Sequence, residues 1–296
     1  MTQETNEIVE LIGEIKNDEA DRMPPELPDK ATLIDSLRSL KELYKRAVII
    51  CSVSLKGGTG KSLTAAALAN FLTHLGFKPL LIDCDDENMS CLNWSASRTK
   101  YKDLLSSEMG ADQIAELENL FPDTAVMGMP LLDALASNVK KYAVDYDFIL
   151  IDSRPSLSAA TSKIMLLSDY AIVPVQTGKE ELRNVHKFLG HYENAVMLRG
   201  EDRPLPGALF VNRDNPRTKL SKMTKKKLLE APIELMYYHL SGKEIFKEAF
   251  GDGIGLCEIV ECYGETKTKA DELRGPQKEY ETLATELLNH MVINLM

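Results

Sequence analysis

Long uninterrupted apolar runs are missing from this 296-residue chain. None reaches the ~18 residues that a membrane-spanning helix needs, which excludes a helical transmembrane protein. An excess of basic charge is missing too, since the formal net charge is −10. A protein that coats nucleic acid with its whole surface is thereby excluded, while a local basic patch is not. Cysteine is sparse: Cys51, Cys84, Cys91, Cys257 and Cys262 are scattered, and their number is odd. That usage reads as buried thiols in a reducing cytoplasm rather than a disulfide framework. No second Cys or His pair joins Cys257 and Cys262 to complete a zinc site. The acidic N-terminal thirty residues lack the basic-then-apolar pattern of a secretory signal. No internal repeat or low-complexity tract is present. What remains is 44% hydrophobic content, enough for one large α/β domain or two small ones.

Three regions follow along the chain. Residues 1–45 carry two short amphipathic stretches, Ile8, Leu11, Ile12 and Ile15, then Leu33, Leu37, Leu40 and Tyr44. "MPPELPD" between them reads as an extended linker, because proline blocks helix continuation. This extension is either a docking arm or a helical addition that packs on its own domain. The rest, 46–296, reads as one domain. From Ala47 to Val211, short apolar runs alternate with helical segments. "AVIICSV", "KPLLIDC", "YDFILID", "YAIVPVQ" and "GALFVN" read as strands buried on both faces. Helices are predicted over Lys61–Leu75, Leu157–Leu167 and Glu180–Met197. The fold class is therefore α/β, a mostly parallel twisted sheet flanked by helices, with ligands expected beyond the C-terminal strand ends. The last third, from Arg217, reads as mostly helical, its final helix interrupted near Gly275–Pro276.

The chemistry concentrates in "LKGGTGKS", residues 55–62, placed between a predicted strand and a predicted helix. Gly57, Gly58 and Gly60 allow a tight turn that brings backbone N–H groups onto phosphate oxygens. The helix starting at Lys61 aims its positive end at the same charge. Lys61 is placed to neutralise β- and γ-phosphates, and Ser62 to ligate Mg²⁺. Leu55 stands where a usual P-loop has glycine, and a second lysine, Lys56, heads the loop.

With Lys56 and Lys61 in Lys-Gly-Gly-x-x-Lys-Ser, the sequence resembles the deviant Walker A ATPases of the ParA/MinD family. The resemblance covers roughly Ala47 to Leu288 and implies a P-loop NTPase fold, ATP and Mg²⁺ as cofactors, and slow, partner-stimulated hydrolysis. It implies that Lys56 reaches the partner's nucleotide in a homodimer that sandwiches ATP. Thr59 and Leu63 fall within the nucleotide-binding loop, Leu63 replacing a threonine common in relatives. Thr64 lies ~100° further round the helix and is a poor substitute. "LLIDCDDENMS" resembles the family's switch segment, with Asp83 and Asp85 on its two aspartates. Asp85 takes the position that orients water and senses Mg²⁺. Asp86 and Glu87 replace the family's Pro-Gln. "DYDFILIDSRPSLS" resembles the Walker B strand and gives Asp152 the Mg²⁺ water shell, with Arg154 in place of a proline. Arg154 is read either as a contact to nucleotide or a dimer-mate carboxylate, or as an exposed charge. "LFVNRDNPRTKL" resembles the adenine-contacting strand end, which makes Asn212 the base reader. Catalytic roles are thus implied for Lys56, Lys61 and Asp85, and metal roles for Ser62, Asp85 and Asp152.

Arg217, Lys219, Lys222, Lys225, Lys226 and Lys227 place six cations within eleven residues. Each phosphate contact adds salt-sensitive affinity, and dimerisation doubles the contacts. In the ParA branch such a patch holds double-stranded DNA without sequence preference. The implied role is positioning plasmid, chromosome or protein cargo, with a ParB-like or adaptor protein stimulating hydrolysis and a cytoplasmic, nucleoid-associated location. The alternatives are a MinD-like membrane-associated ATPase or a metabolic P-loop enzyme. The C-terminal "LATELLNHMVINLM" has an apolar side but no Lys or Arg, which argues against a membrane surface. The cysteine pair that an iron-protein relative needs after the Walker B region is absent.

Overall fold

The computed structural model describes residues 22–54, 56–107, 109–129, 134–155 and 159–296. The first amphipathic stretch, Leu55, and the start of the helix read from Leu157 lie outside the described residues.

Five apolar runs form the strands expected of them: β1 (Val48–Ser52), β2 (Pro79–Asp83), β4 (Phe148–Asp152), β5 (Tyr170–Val175) and β6 (Gly207–Asp214). Their residues are almost all buried because helices cover both faces. Three strands escaped the sequence reading: β3 (Ala125–Gly128), β7 (Glu234–Leu235) and β8 (Leu240–Ser241). β3 is a short, half-buried apolar run, AVMG, that no polar residue sets apart from the apolar residues after it, and the other two span two residues each. The eight-stranded sheet runs β3-β2-β4-β1-β5-β6-β7, with β8 also paired to β6. Every pairing is parallel.

The helices are α1 (Lys30–Tyr44), α2 (Lys61–His74), α3 (Ser90–Ser106), α4 (Ala111–Leu120), α5 (Leu135–Tyr142), α6 (Ala159–Leu167), α7 (Lys179–Arg199), α8 (Lys219–Leu228), α9 (Ile245–Gly251), α10 (Ile259–Tyr263) and α11 (Lys267–Leu295). Asp29 caps α1 by accepting from the Thr32 N–H at 2.8 Å. Leu33, Leu37 and Leu40 are fully buried in the same core cluster as α2 and α11. Of the two readings of the extension, the structure therefore shows this second stretch packed on its own domain.

The expected break at Gly275–Pro276 does not occur; α11 runs through it. Proline removes one helical hydrogen bond and crowds the preceding turn, an effect of ~3 kcal/mol. Here Leu273, Pro276, Tyr280, Leu283, Ala284, Leu287 and Leu288 are buried on one face. At ~1.5–3 kcal/mol per buried large side chain, that packing outweighs the lost bond. Gln277 adds a tie, its Oε1 accepting from Val260 N–H at 2.9 Å.

Behind α2 lies a buried polar hub. Arg98 donates to both carboxylate oxygens of Glu258 at 2.8 and 2.7 Å. Asn70 and His74 of α2 reach Glu258 Oε1 at 3.0 and 2.7 Å. The hub clamps α2 and α3 to the segment before α10, fixing the helix that begins at the phosphate loop.

Candidate functional site

β1, β2 and β4 end side by side, with Ser52, Asp83 and Asp152 in register. The glycine loop leaves β1 and turns into α2 directly above these ends. Gly60 makes that turn at φ +104°, and a Cβ there would lie 2.1 Å from Asn212 Nδ2. Only glycine fits, for both reasons. The loop is braced internally: Ser54 and Thr59 hydroxyls are 2.7 Å apart, and Ser52 Oγ donates to Lys61 O at 3.1 Å. Gln176, just past β5, donates to Gly58 O at 2.6 Å. A cleft of about 390 Å³ opens over the loop, lined by Gly57, Gly58, Gly60, Lys61, Ser62, Leu63, Asp85 and Asn212.

Lys61 is only 5% exposed. Burial pulls its pKa down, while Asp152, Asp85 and Glu181 act the other way. Its ammonium donates to Lys56 O at 3.3 Å, so it lies curled within the loop beside the space for phosphate. Thr64 Oγ1 donates back to Gly60 O at 2.7 Å, so it does not take the role that Leu63 vacates.

Asp152 is fully buried, and burial pushes its carboxyl up to about 7 against the pull of Ser62 and Lys61. Cys91 Sγ donates to its Oδ2 at 3.3 Å. Its Oδ1 has no hydrogen-bond partner among the described residues. Asp83, Cys91 and Asp152 offer ligand atoms within 4.8 Å of one another. Asp83 is already used: Oδ1 accepts from Asp85 N–H, and Oδ2 from the N–H groups of Cys91 and Leu92 at the start of α3. It anchors the switch segment rather than facing the cleft. Burial lifts the Cys91 thiol well above its ordinary value, so it is a neutral donor. A hard cation held partly through water fits the orphaned Asp152 oxygen beside Ser62; a soft thiolate-bound metal does not.

Asp85 does face the cleft. Its Oδ1 accepts from Glu87 and Asn88 N–H groups, and its Oδ2 from Asn88 Nδ2 at 2.9 Å. Burial works against its ionisation, but those bonds and the Arg154 charge hold the carboxyl below the usual range. The two departures from the family pattern meet here. Arg154 pairs with Asp86 at 2.7 Å and Glu87 at 2.5 Å, clasping the switch to the end of β4.

Lys56 points the other way from the cleft. Its ammonium lies 3.5 Å from Glu181 and 3.8 Å from Glu180, in the first turn of α7. Asn212 is buried with both amide ends engaged: Nδ2 donates to Thr59 O at 2.7 Å, and Oδ1 accepts from Arg213 N–H at 3.0 Å. In this state it braces the phosphate loop. The far wall of the cleft comes from residues the sequence reading missed: Arg213, Gly242, Lys243, Phe246 and Lys247. "SGKEIF" was the available signal, but the two-residue strand β8 that aims it is too short to read.

The six cations are not one surface. Lys225 is 8% exposed and pairs with Asp214 at 2.9 Å. That corrects the expectation that it faces a ligand. Arg217, Lys219, Lys222 and Lys227 are exposed, and Lys226 is half-buried.

A family model described as an AAA domain matches residues 114–197. The chromosome-partitioning ATPase Soj of Thermus thermophilus is 30% identical over 247 residues, covering 81% of this chain and 94% of that protein. The chain belongs to the ParA/MinD family of P-loop ATPases. Soj of Treponema pallidum is 27% identical over 252 residues, covering 80% of this chain and 95% of that protein. The structure of Cyanothece apo McdA superposes with a TM-score of 0.57 at 16% identity, over 80% of this chain and 99% of that one. It shows the same fold. The cleft over the ends of β1, β2 and β4 is the candidate nucleotide site of this family member.

Proposed function

We propose that this chain is a ParA-type positioning ATPase, a switch that dimerises around ATP and then holds duplex DNA without sequence preference. The observation that carries the nucleotide part is the cleft itself, with a braced glycine loop, a buried Lys61, and an unpartnered Asp152 oxygen at adjoining strand ends. Lys61 and the N-terminus of α2 balance phosphate charge. Ser62 and Asp152 would hold Mg²⁺, which would supply charge neutralisation for the phosphates. Asp85, ionised and fixed by Asn88, accepts from and orients the attacking water. Lys56 leaves Glu180 and Glu181 to reach the nucleotide of a second copy.

The DNA part is supported by the exposed cations at and before α8, and by the partitioning role that the Soj relatives' names state. The membrane alternative is disfavoured by α11. Its Leu283, Leu287, Leu288, Met291 and Val292 are buried in the core, so that apolar face is already covered. Among the described residues no helix is long and apolar enough to cross a membrane.

Retention on a random-sequence duplex with ATP, ADP or no nucleotide, across a salt series, tests the reading. Binding that requires ATP and falls steeply with salt is expected. Equal retention in all three nucleotide states, or none in any, overturns it.

A further inference from the structure

A second cleft lies away from the nucleotide, between α7 and α8. It encloses about 740 Å³. Its floor is apolar, from Val185, Leu189, Met223 and Leu228, and its rim carries Lys179, Arg183, His186, Lys187 and Lys227. Among the described residues Glu230 is the only acid lining it. Among the described residues Lys179, Arg183, Lys187 and Lys227 make no ion pair, and all four are exposed. An apolar trough edged by unpaired cations fits an acidic amphipathic segment.

The chain contains such a segment. Residues 1–21 hold seven acids and one lysine. Ile8, Leu11, Ile12 and Ile15 recur at helical spacing, with Glu7, Glu10 and Glu14 along one flank. The segment also begins in the right place. Arg22, the first described residue, donates from Nη2 to Leu235 O at 2.8 Å. Leu235 is four residues from Ala231, which lines the trough. Four residues span at most ~14 Å, and the seven from Ile15 to Arg22 span up to ~24 Å, so the chain is long enough to bring the apolar stripe to the edge of the trough at Ala231. A neighbouring cleft between α7 and the end of α11 is also within reach. Its charged lining residues are Glu193 and Glu234, which repel an acidic segment.

We propose that residues 1–21 dock in the α7–α8 trough of their own chain, with Ile8, Leu11, Ile12 and Ile15 on the apolar floor and Glu7, Glu10 and Glu14 against Arg183, Lys187 and Lys227. Docked there, the segment covers Lys227, one of the cations offered to DNA, and lies on the helix whose first turn holds Lys56. The N-terminal extension would thereby compete with polyanions for part of the same surface.

Carbodiimide cross-linking of the full chain, without nucleotide or DNA, tests the docking independently of the switch reading. An equal mixture of ¹⁴N- and ¹⁵N-labelled protein separates links within a chain from links between chains. Links from Glu7, Glu10 or Glu14 to Lys179, Lys187 or Lys227 are expected, within single chains, weakening at least fivefold in 0.5 M salt. R183E combined with K227E should reduce the remaining links to Lys187 by a similar factor. Adding E7K, E10K and E14K to that variant should restore links of reversed polarity. Absence of these links at low salt, links to other surfaces, or mixed-isotope links to a second copy would each overturn the proposal. Failure here leaves ATP-dependent DNA retention untouched, since neither ligand is present.

Discussion

At the residue scale, Lys61 and Lys56 show how two lysines five apart in one loop do different work. Lys61 is buried and bent into the loop, whereas Lys56 is 41% exposed and held by α7 carboxylates. Replacing Lys61 with Ala removes the buried charge that the proposed site sets against phosphate and leaves the glycine turn in place. Nucleotide affinity should fall by about 100-fold, about 2.7 kcal/mol, with an unchanged circular dichroism spectrum. Isothermal titration with ATP checks this, and an affinity within threefold of wild type would remove Lys61 from the site. Gly57, Gly58, Gly60, Lys61, Ser62 and Asp152 were legible in the sequence because they carry a motif with a mechanism. The Arg154 pairing with Asp86 and Glu87 was not. It joins two departures 67 residues apart that no local pattern links. The inward turn of Lys225 was equally hidden, since its partner Asp214 ends a strand and a charge run reads the same whichever way it faces.

At the element scale, continuous apolar runs located five of the eight described strands, amphipathic spacing located α1, and strand–helix alternation located α2, α7 and the described part of α6. β3, β7 and β8 are too short or too exposed to show a period, and α11 defeated the proline rule through burial. The reading of α1 as part of the core has a direct consequence. Leu37 is fully buried against that core, and Leu37→Ala should destabilise by ~2–4 kcal/mol. A urea midpoint measurement checks this. A change under 0.5 kcal/mol would mean that α1 packs elsewhere in solution.

At the scale of the whole molecule, the half-buried His239 and the buried Glu258 each make stability fall on the acid side. Burial, with the Lys225 charge, pushes His239 down to about 3 from its ordinary 6.5. Its Nδ1 accepts from Val211 N–H, which requires the neutral ring. For Glu258, burial opposes ionisation, but hydrogen bonds from His74 and Arg98 prevail and hold it at about 2, below its ordinary 4.5. Both folded-state values lie below the unfolded ones. Each contribution is therefore complete above the unfolded value and lost as pH falls toward the folded one. His239 acts from about pH 6.5 down to 3, and Glu258 from about 4.5 down to 2. Unfolding free energy should decline by ~1.2 kcal/mol from the His239 proton alone between pH 6 and 5. H239N should flatten that slope, as denaturant titrations at pH 7.5, 6 and 5 would show. An unchanged slope would contradict the neutral imidazole.

The central claim is that nucleotide moves Lys56 from its own α7 to a second copy of the chain. Sedimentation velocity of wild type and K56A, each with ATP and Mg²⁺ or with ADP, measures it most directly. Wild type should sediment as a dimer with ATP and a monomer with ADP, and K56A should remain a monomer in both while still binding ATP. A K56A profile that matches wild type, or a wild type indifferent to nucleotide, would contradict the account.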